Sequence, residues 1–173
     1  MSDFEEELIA SLPEFLAHAL ELEVESRERY RDMAACMELH HNPEAAELFN
    51  EMARYSELHV REVLLRAEGV ELPAMAPWGF KWTCGESPEV RQAEAAHYLM
   101  SRRQALELAL CHETRARDFY LGVAMRSESA EVRALAQEMA GEEQVHVDLL
   151  TRWIAGADHG VPQEDLDPPN VVA

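Results

Sequence analysis

The sequence predicts an all-α protein: an antiparallel four-helix bundle made of two helical hairpins and one long crossover. Three observations carry this. Apolar residues recur at helical spacing through four long segments. Glycine (7) and proline (8) are few, which suits long helices. The second half of the chain also repeats the first, so whatever the first hairpin forms, the second is expected to form again.

After an acidic lead-in over residues 1–10, Ser11-Leu12-Pro13-Glu14 marks a helix start, with Ser11 as N-cap and proline in the first turn. The helix is predicted over residues 12–39, with a stripe of Leu16, Leu20, Glu23, Tyr30, Met33, Ala34 and Met37. His40-His41-Asn42-Pro43 turns the chain, and Asn42 caps a second helix over 43–68 that Gly69 stops. Its stripe holds Ala46, Phe49, Met52, Ala53, Ser56, His59, Val60 and Val63.

Residues 70–100 break the periodicity. At about 3.3 Å per residue this stretch is long enough to run the length of a bundle and start the next helix parallel to the last. Trp78, Phe80 and Trp82 are expected to cover the bundle side, and Ser87-Pro88-Glu89 is a cap signal for a short helix. Ser101 caps a third long helix over 102–125, with Leu106, Ala109, Glu113, Ala116, Tyr120 and Val123 on its stripe. Arg126 to Ser129 turn the chain into a fourth helix over 130–155, closed by Gly156. That stripe carries Val132, Leu135, Ala136, Met139, Glu143, His146, Leu150 and Trp153. Residues 1–157 are thus expected to form one domain, and 158–173, rich in prolines and acids, a loose tail.

A formal charge of −19 argues against nucleic acid and anionic membranes as partners, and favours cations. No apolar run approaches membrane-spanning length. The N-terminus is acidic where a signal peptide is basic. Cys36, Cys84 and Cys111 form no Cys-x-x-Cys pair, so neither a disulfide framework nor a zinc or iron–sulfur knuckle is expected. Free thiols and an acidic N-terminus together suggest a cytoplasmic location.

Chemistry concentrates in the fourth helix, where Glu143 and His146 form a Glu-x-x-His pair. Three helical residues turn through about 300°, so both side chains leave one face a turn apart, the spacing at which a carboxylate and an imidazole hold one metal ion. The repeat supplies partners. At an offset of 90 residues, Glu23 falls on Glu113, Arg27 on Arg117 and Tyr30 on Tyr120. At an offset of 87, His59 falls on His146 and Ser56 on Glu143. Glu23 and His59 lie equally far from the first turn, as Glu113 and Glu143 do from the second, so each glutamate is expected at the height of the opposing motif. Each tyrosine follows its glutamate by seven residues, two turns, and shares its face. A buried carboxylate is costly unless paired or metal-bound. Three glutamates and two histidines converging on a bundle core are hard to explain without a cation.

These residues resemble the ferritin-like di-iron carboxylate proteins, and within them the rubrerythrin and bacterioferritin branch. The resemblance covers roughly residues 12–155. It implies a ferritin-like bundle with Glu23, His59, Glu113, Glu143 and His146 as metal ligands. Glu23, His59 and a share of Glu143 would hold one iron, and Glu113, His146 and the rest of Glu143 the other. Glu143 would bridge the ions and be the central catalytic group; zinc or manganese would suit the same ligands. Tyr30 and Tyr120 match the family's Glu-x6-Tyr pattern, which implies hydrogen bonds to ligand carboxylates across the bundle.

Two departures stand out. Ser56 occupies the position of the second bridging glutamate, and Glu57, about 100° around the helix, does not replace it. The chain also lacks the two Cys-x-x-Cys pairs of a rubredoxin domain, so electrons would come from a separate donor protein. The resemblance further implies a homodimer and peroxidase or ferroxidase chemistry. A helical regulatory or interaction module with a degenerate metal site, and a di-iron hydroxylase, are the alternatives. His18, His40, His41, His97 and His112 have no partner at metal spacing and are expected to be surface or structural residues.

Overall fold

The computed structural model describes residues 8–76 and 99–157. Trp78, Phe80, Trp82, Cys84, the Ser87 cap signal, His97 and the tail from residue 158 lie outside them. Among these residues four helices form: α1 (Leu12–Leu39), α2 (Pro43–Arg66), α3 (Arg102–Arg126) and α4 (Ala130–Ala157). Among the described residues there is no strand, and no helix is long and apolar enough to cross a membrane.

The starts follow the capping chemistry. The Ser11 and Asn42 side chains accept from the amides of Glu14 and Ala45, each at 3.4 Å. Ser101 and Gln104 form a reciprocal capping box, at 3.1 and 2.8 Å. At α4, Ser129 Oγ accepts from the Val132 amide at 3.3 Å. The ends depart slightly from expectation. Helix α2 stops at Arg66, and Gly69 follows in the left-handed region (φ 76°). Helix α4 runs through Gly156 to Ala157 instead of closing there. A helical glycine costs only about 1 kcal/mol, and Trp153 and Ile154, packed on the core, hold that last turn.

Helices α1 and α2 pack as one hairpin and α3 and α4 as the other. Their relative direction follows from cross-bundle bonds. Tyr30 of α1 reaches Glu113 of α3, and Tyr120 of α3 reaches Glu23 of α1, so α1 and α3 are antiparallel. Arg66 near the end of α2 bonds Glu138 in the first half of α4, so these two are antiparallel as well. Helices α2 and α3 are therefore parallel, so the end of α2 and the start of α3 lie at opposite ends of the bundle. The described residues beside them agree: residues Leu72–Met75 lie beside Ser11 and Pro13, while Met100 accepts from the Asn42 side chain at the opposite end, 2.7 Å away.

The core divides into two apolar clusters. One holds Met33, Met37, Phe49, Met52, Leu106 and Leu150; the other holds Phe15, Leu16, Leu22, Val63, Phe119, Val132 and Met139. Each fully buried aliphatic or aromatic side chain contributes about 1.5–3 kcal/mol. Between the clusters lies a belt of buried polar groups.

Candidate metal centre

Each helix delivers its polar residues to the belt because they occupy core positions of its stripe. Glu23 and Glu143 are each 2% exposed, and Glu113, His59 and His146 are also buried. All five residues expected at the site meet there. His146 Nδ1 lies 3.0 Å from Glu113 Oε2 and 3.5 Å from Glu143 Oε2. His59 Nδ1 lies 3.4 Å from Glu23 Oε2 and 3.3 Å from Glu143 Oε1. Glu143 thus presents one oxygen to each histidine, and the two imidazoles stack at 4.9 Å between centroids, 12° from parallel. His59, Glu143 and His146 each offer a ligand atom within 4.8 Å of the others.

The two tyrosines tie the hairpins together. Tyr30 donates to Glu113 Oε1 at 2.7 Å, and Tyr120 donates to Glu23 Oε1 at 2.8 Å. Each therefore fixes the carboxylate of the opposite hairpin and leaves that group's second oxygen toward the histidines. Equivalent arginines hold the hairpins further out: Arg27 donates to Glu57 and Arg117 to Gln144, both at 2.9 Å. Glu57 also lies within 3.4 Å of both Arg31 and Arg61, so it belongs to the surface network and not to the centre.

The electrostatics are those of carboxylates and imidazoles buried together. Burial would lower the His59 pKa, but Glu23 and Glu143 override it and hold the imidazole well above its usual range. His146 is likewise pushed down by burial and up by Glu113 and Glu143, ending at about 9. Burial raises Glu23 above the usual carboxylate range despite His59. For Glu113, burial alone would raise the pKa, but His146, Glu143 and Tyr30 together outweigh it and the pKa falls. In this state protons on the histidines balance carboxylate charge. Even so, Glu143 Oε2 is buried with no hydrogen-bond partner among the described residues. Three buried carboxylates and two imidazoles, with an orphaned carboxylate oxygen at their centre, fit divalent transition metals.

A crystal structure of an uncharacterized conserved protein from Magnetospirillum magnetotacticum MS-1 is similar to this chain. It is 37% identical over 91% of this chain and 99% of its own, with a TM-score of 0.66. The chain belongs to the family of that protein. Membership brings no activity with it, since that protein's description names none. No protein-family profile and no curated protein matches the chain.

Several contacts were not legible in the sequence. Ser56 Oγ donates to Ser26 Oγ at 3.2 Å, both buried. Ser26 stands one turn after Glu23, and that spacing was the available sign. Tyr55 stacks on His146 at 5.1 Å and 25°, with Arg54 over its ring. Glu62, Glu138 and Glu142 form a second acidic group toward the surface. Arg66 lies 2.8 Å from Glu62 and 2.6 Å from Glu138, so its guanidinium offsets part of that group's charge. Glu142, half-buried among these acids, has a pKa raised by burial and then Glu62 to about 7.

Among the described residues, the remaining histidines are structural or exposed. His18 is buried in stacked contact with Phe119, its Nδ1 2.8 Å from the Glu14 carbonyl, and His112 is buried against Tyr30. His40 and His41 are exposed, the latter at φ 57° in the turn.

Proposed function

We propose that this chain is a dimetal protein of the rubrerythrin and bacterioferritin kind, an oxidoreductase that handles peroxide or oxygen with two iron ions. The observation that carries this is Glu143, buried with one oxygen facing each histidine. Glu23, His59 and Glu143 would hold one ion, and Glu113, His146 and Glu143 the other. Bound as ferrous ions, the pair supplies one electron from each metal, which suits two-electron reduction of peroxide to water or oxidation of iron for storage. Imidazole suits iron generally, and hard carboxylate oxygens favour its ferric state. Zinc or manganese would fill the same ligands without change to the scaffold.

The protein's own residues prepare the site. Tyr30 and Tyr120 orient Glu113 and Glu23, and hydrogen bonds to the carboxylates that would hold metal fix ligand geometry and metal affinity. The apolar clusters on either side keep bulk water out, which strengthens every charge interaction between them. A separate donor protein is the electron source this reading carries. A homodimer in the cytoplasm is the assembly and location this reading carries.

A helical regulatory module with a degenerate metal site is the second reading, and Ser56 at a bridging position favours it. Metal analysis of protein purified with iron separates the two. Two ions per chain are expected, with a clear rise in thermal stability. A metal-free bundle whose stability ignores added iron would establish the regulatory reading instead.

A further inference from the structure

The two halves of the belt differ at one turn. Ser56 stands on α2 where Glu143 stands on α4, one turn before the histidine in each case. Ser26, one turn after Glu23, has Ala116 as its counterpart in the repeat. The half that lacks a glutamate therefore gains two hydroxyls. Both serines are buried, at 6% and 5% exposure, and they bond each other at 3.2 Å. A pair of hydroxyls sharing one hydrogen bond uses one of its two protons. Among the described residues neither hydroxyl has another hydrogen-bond partner. One donor thus remains in the belt without an acceptor among the described residues.

Charge gives that donor a use. Under the two-metal reading, two divalent ions bring +4 and the carboxylates of Glu23, Glu113 and Glu143 bring −3, while neutral imidazoles add nothing. One positive charge is left over in a buried site, where unbalanced charge is costly. A fourth carboxylate at position 56 would have cancelled it. Serine in place of glutamate removes a CH2–COO⁻ unit, so the missing piece is close to acetate or formate in size and charge.

We propose that the Ser26–Ser56 pair and the metal pair together bind one small monoanion, of carboxylate size or less, in the place of the absent glutamate. The inference rests on the two-metal reading. A hydroxyl donates to the anion, and the metals supply the attraction that a tethered side chain supplies on the other half.

The test uses the full chain loaded with cobalt(II), whose visible absorption reports its ligands, titrated with formate while bound cobalt is counted by elemental analysis. Two cobalt ions per chain and a saturable spectral change with formate are expected. Ser56→Glu should bind cobalt more tightly and lose the formate response, because its own carboxylate takes the place. In protein carrying two cobalt ions, Ser26→Ala should weaken formate about tenfold, the usual effect of losing a hydrogen bond to a charged group.

Two bound cobalt ions with no response to formate would overturn the anion site and leave the metal reading standing. So would a formate response unchanged in both Ser56→Glu and Ser26→Ala. A single cobalt ion per chain overturns it too, since three carboxylates would then already exceed the metal charge. If no cobalt binds, the metal reading fails and the anion site fails with it.

Discussion

In the α3–α4 hairpin, His146 sits 3.0 Å from Glu113, and Glu143 stands one turn away on the same face. In the α1–α2 hairpin, His59 keeps the equivalent place but is shared between Glu23 and Glu143 at 3.4 and 3.3 Å, and the glutamate of its own motif is a serine. The carboxylates respond in opposite directions. Glu113 is held below the usual range, its burial outweighed by His146, Glu143 and Tyr30 together, whereas burial raises Glu23 and the nearby Glu143 charge adds to it. The backbone repeat thus survives intact while one side chain makes the halves electrostatically unequal. Glu143 becomes the group on which both depend.

The largest effect should follow from removing that shared group. Glu143→Ala is expected to lower affinity at both positions by more than the roughly 10–100-fold typical of removing a hydrogen-bond partner of a metal ligand. His146→Ala should affect its own half first. Isothermal titration with a divalent metal checks this, and equal losses for both ions in His146→Ala would break the division into halves.

Next in size, Tyr30→Phe and Tyr120→Phe each remove a buried bond to a carboxylate. Each should cost about 1.5–3 kcal/mol of stability in the metal-free protein, read by chemical denaturation, and weaken metal binding about tenfold or more. If only one of them has an effect, the two cross-bundle bonds are not equivalent.

A smaller, graded effect concerns pH. The His146 pKa is raised to about 9 by its glutamates, above its unfolded value near 6.5. Its contribution to stability is therefore fully present below pH about 6.5 and lost as pH rises through about 9. The depressed Glu113 acts the other way, contributing above its unfolded value and losing that contribution as pH falls. Denaturation of the metal-free protein at pH 7 and above pH 9 should reveal the first loss. Loading metal at neutral pH should release protons, because ligand imidazoles must be neutral.

The smallest change is expected for Glu57→Ala. It breaks the bonds to Arg27, Arg31 and Arg61, but ion pairs at the bundle's outer face contribute little. Metal stoichiometry should stay as in the parent protein. A lost ion would place Glu57 in the centre after all.

Much of the site was legible because helices convert spacing into position. Glu23, His59, Glu113, Glu143 and His146 lie on core stripes, and equal distances from each turn set their common height. The face shared by each Glu-x6-Tyr pair was legible for the same reason. Gly156 misled, because a glycine's helical penalty is small beside the packing of Trp153 and Ile154. The Ser26–Ser56 bond, the stacking of Tyr55 on His146 and the role of Arg66 between two acids left no clear trace. They depend on rotamers chosen where several helices meet, and no periodicity within one helix encodes that choice.

Local physics in the sequence was enough for the four helices, their caps and the inward faces that carry carboxylate and imidazole. Backbone geometry and hydrophobic period act within a few residues and need no partner. Only the tertiary structure decided which oxygen of each glutamate its tyrosine holds, which Glu143 oxygen faces which histidine, and that Ser26 and Ser56 bond each other. Those outcomes depend on how distant helices pack, where burial, charge and side-chain shape are settled together.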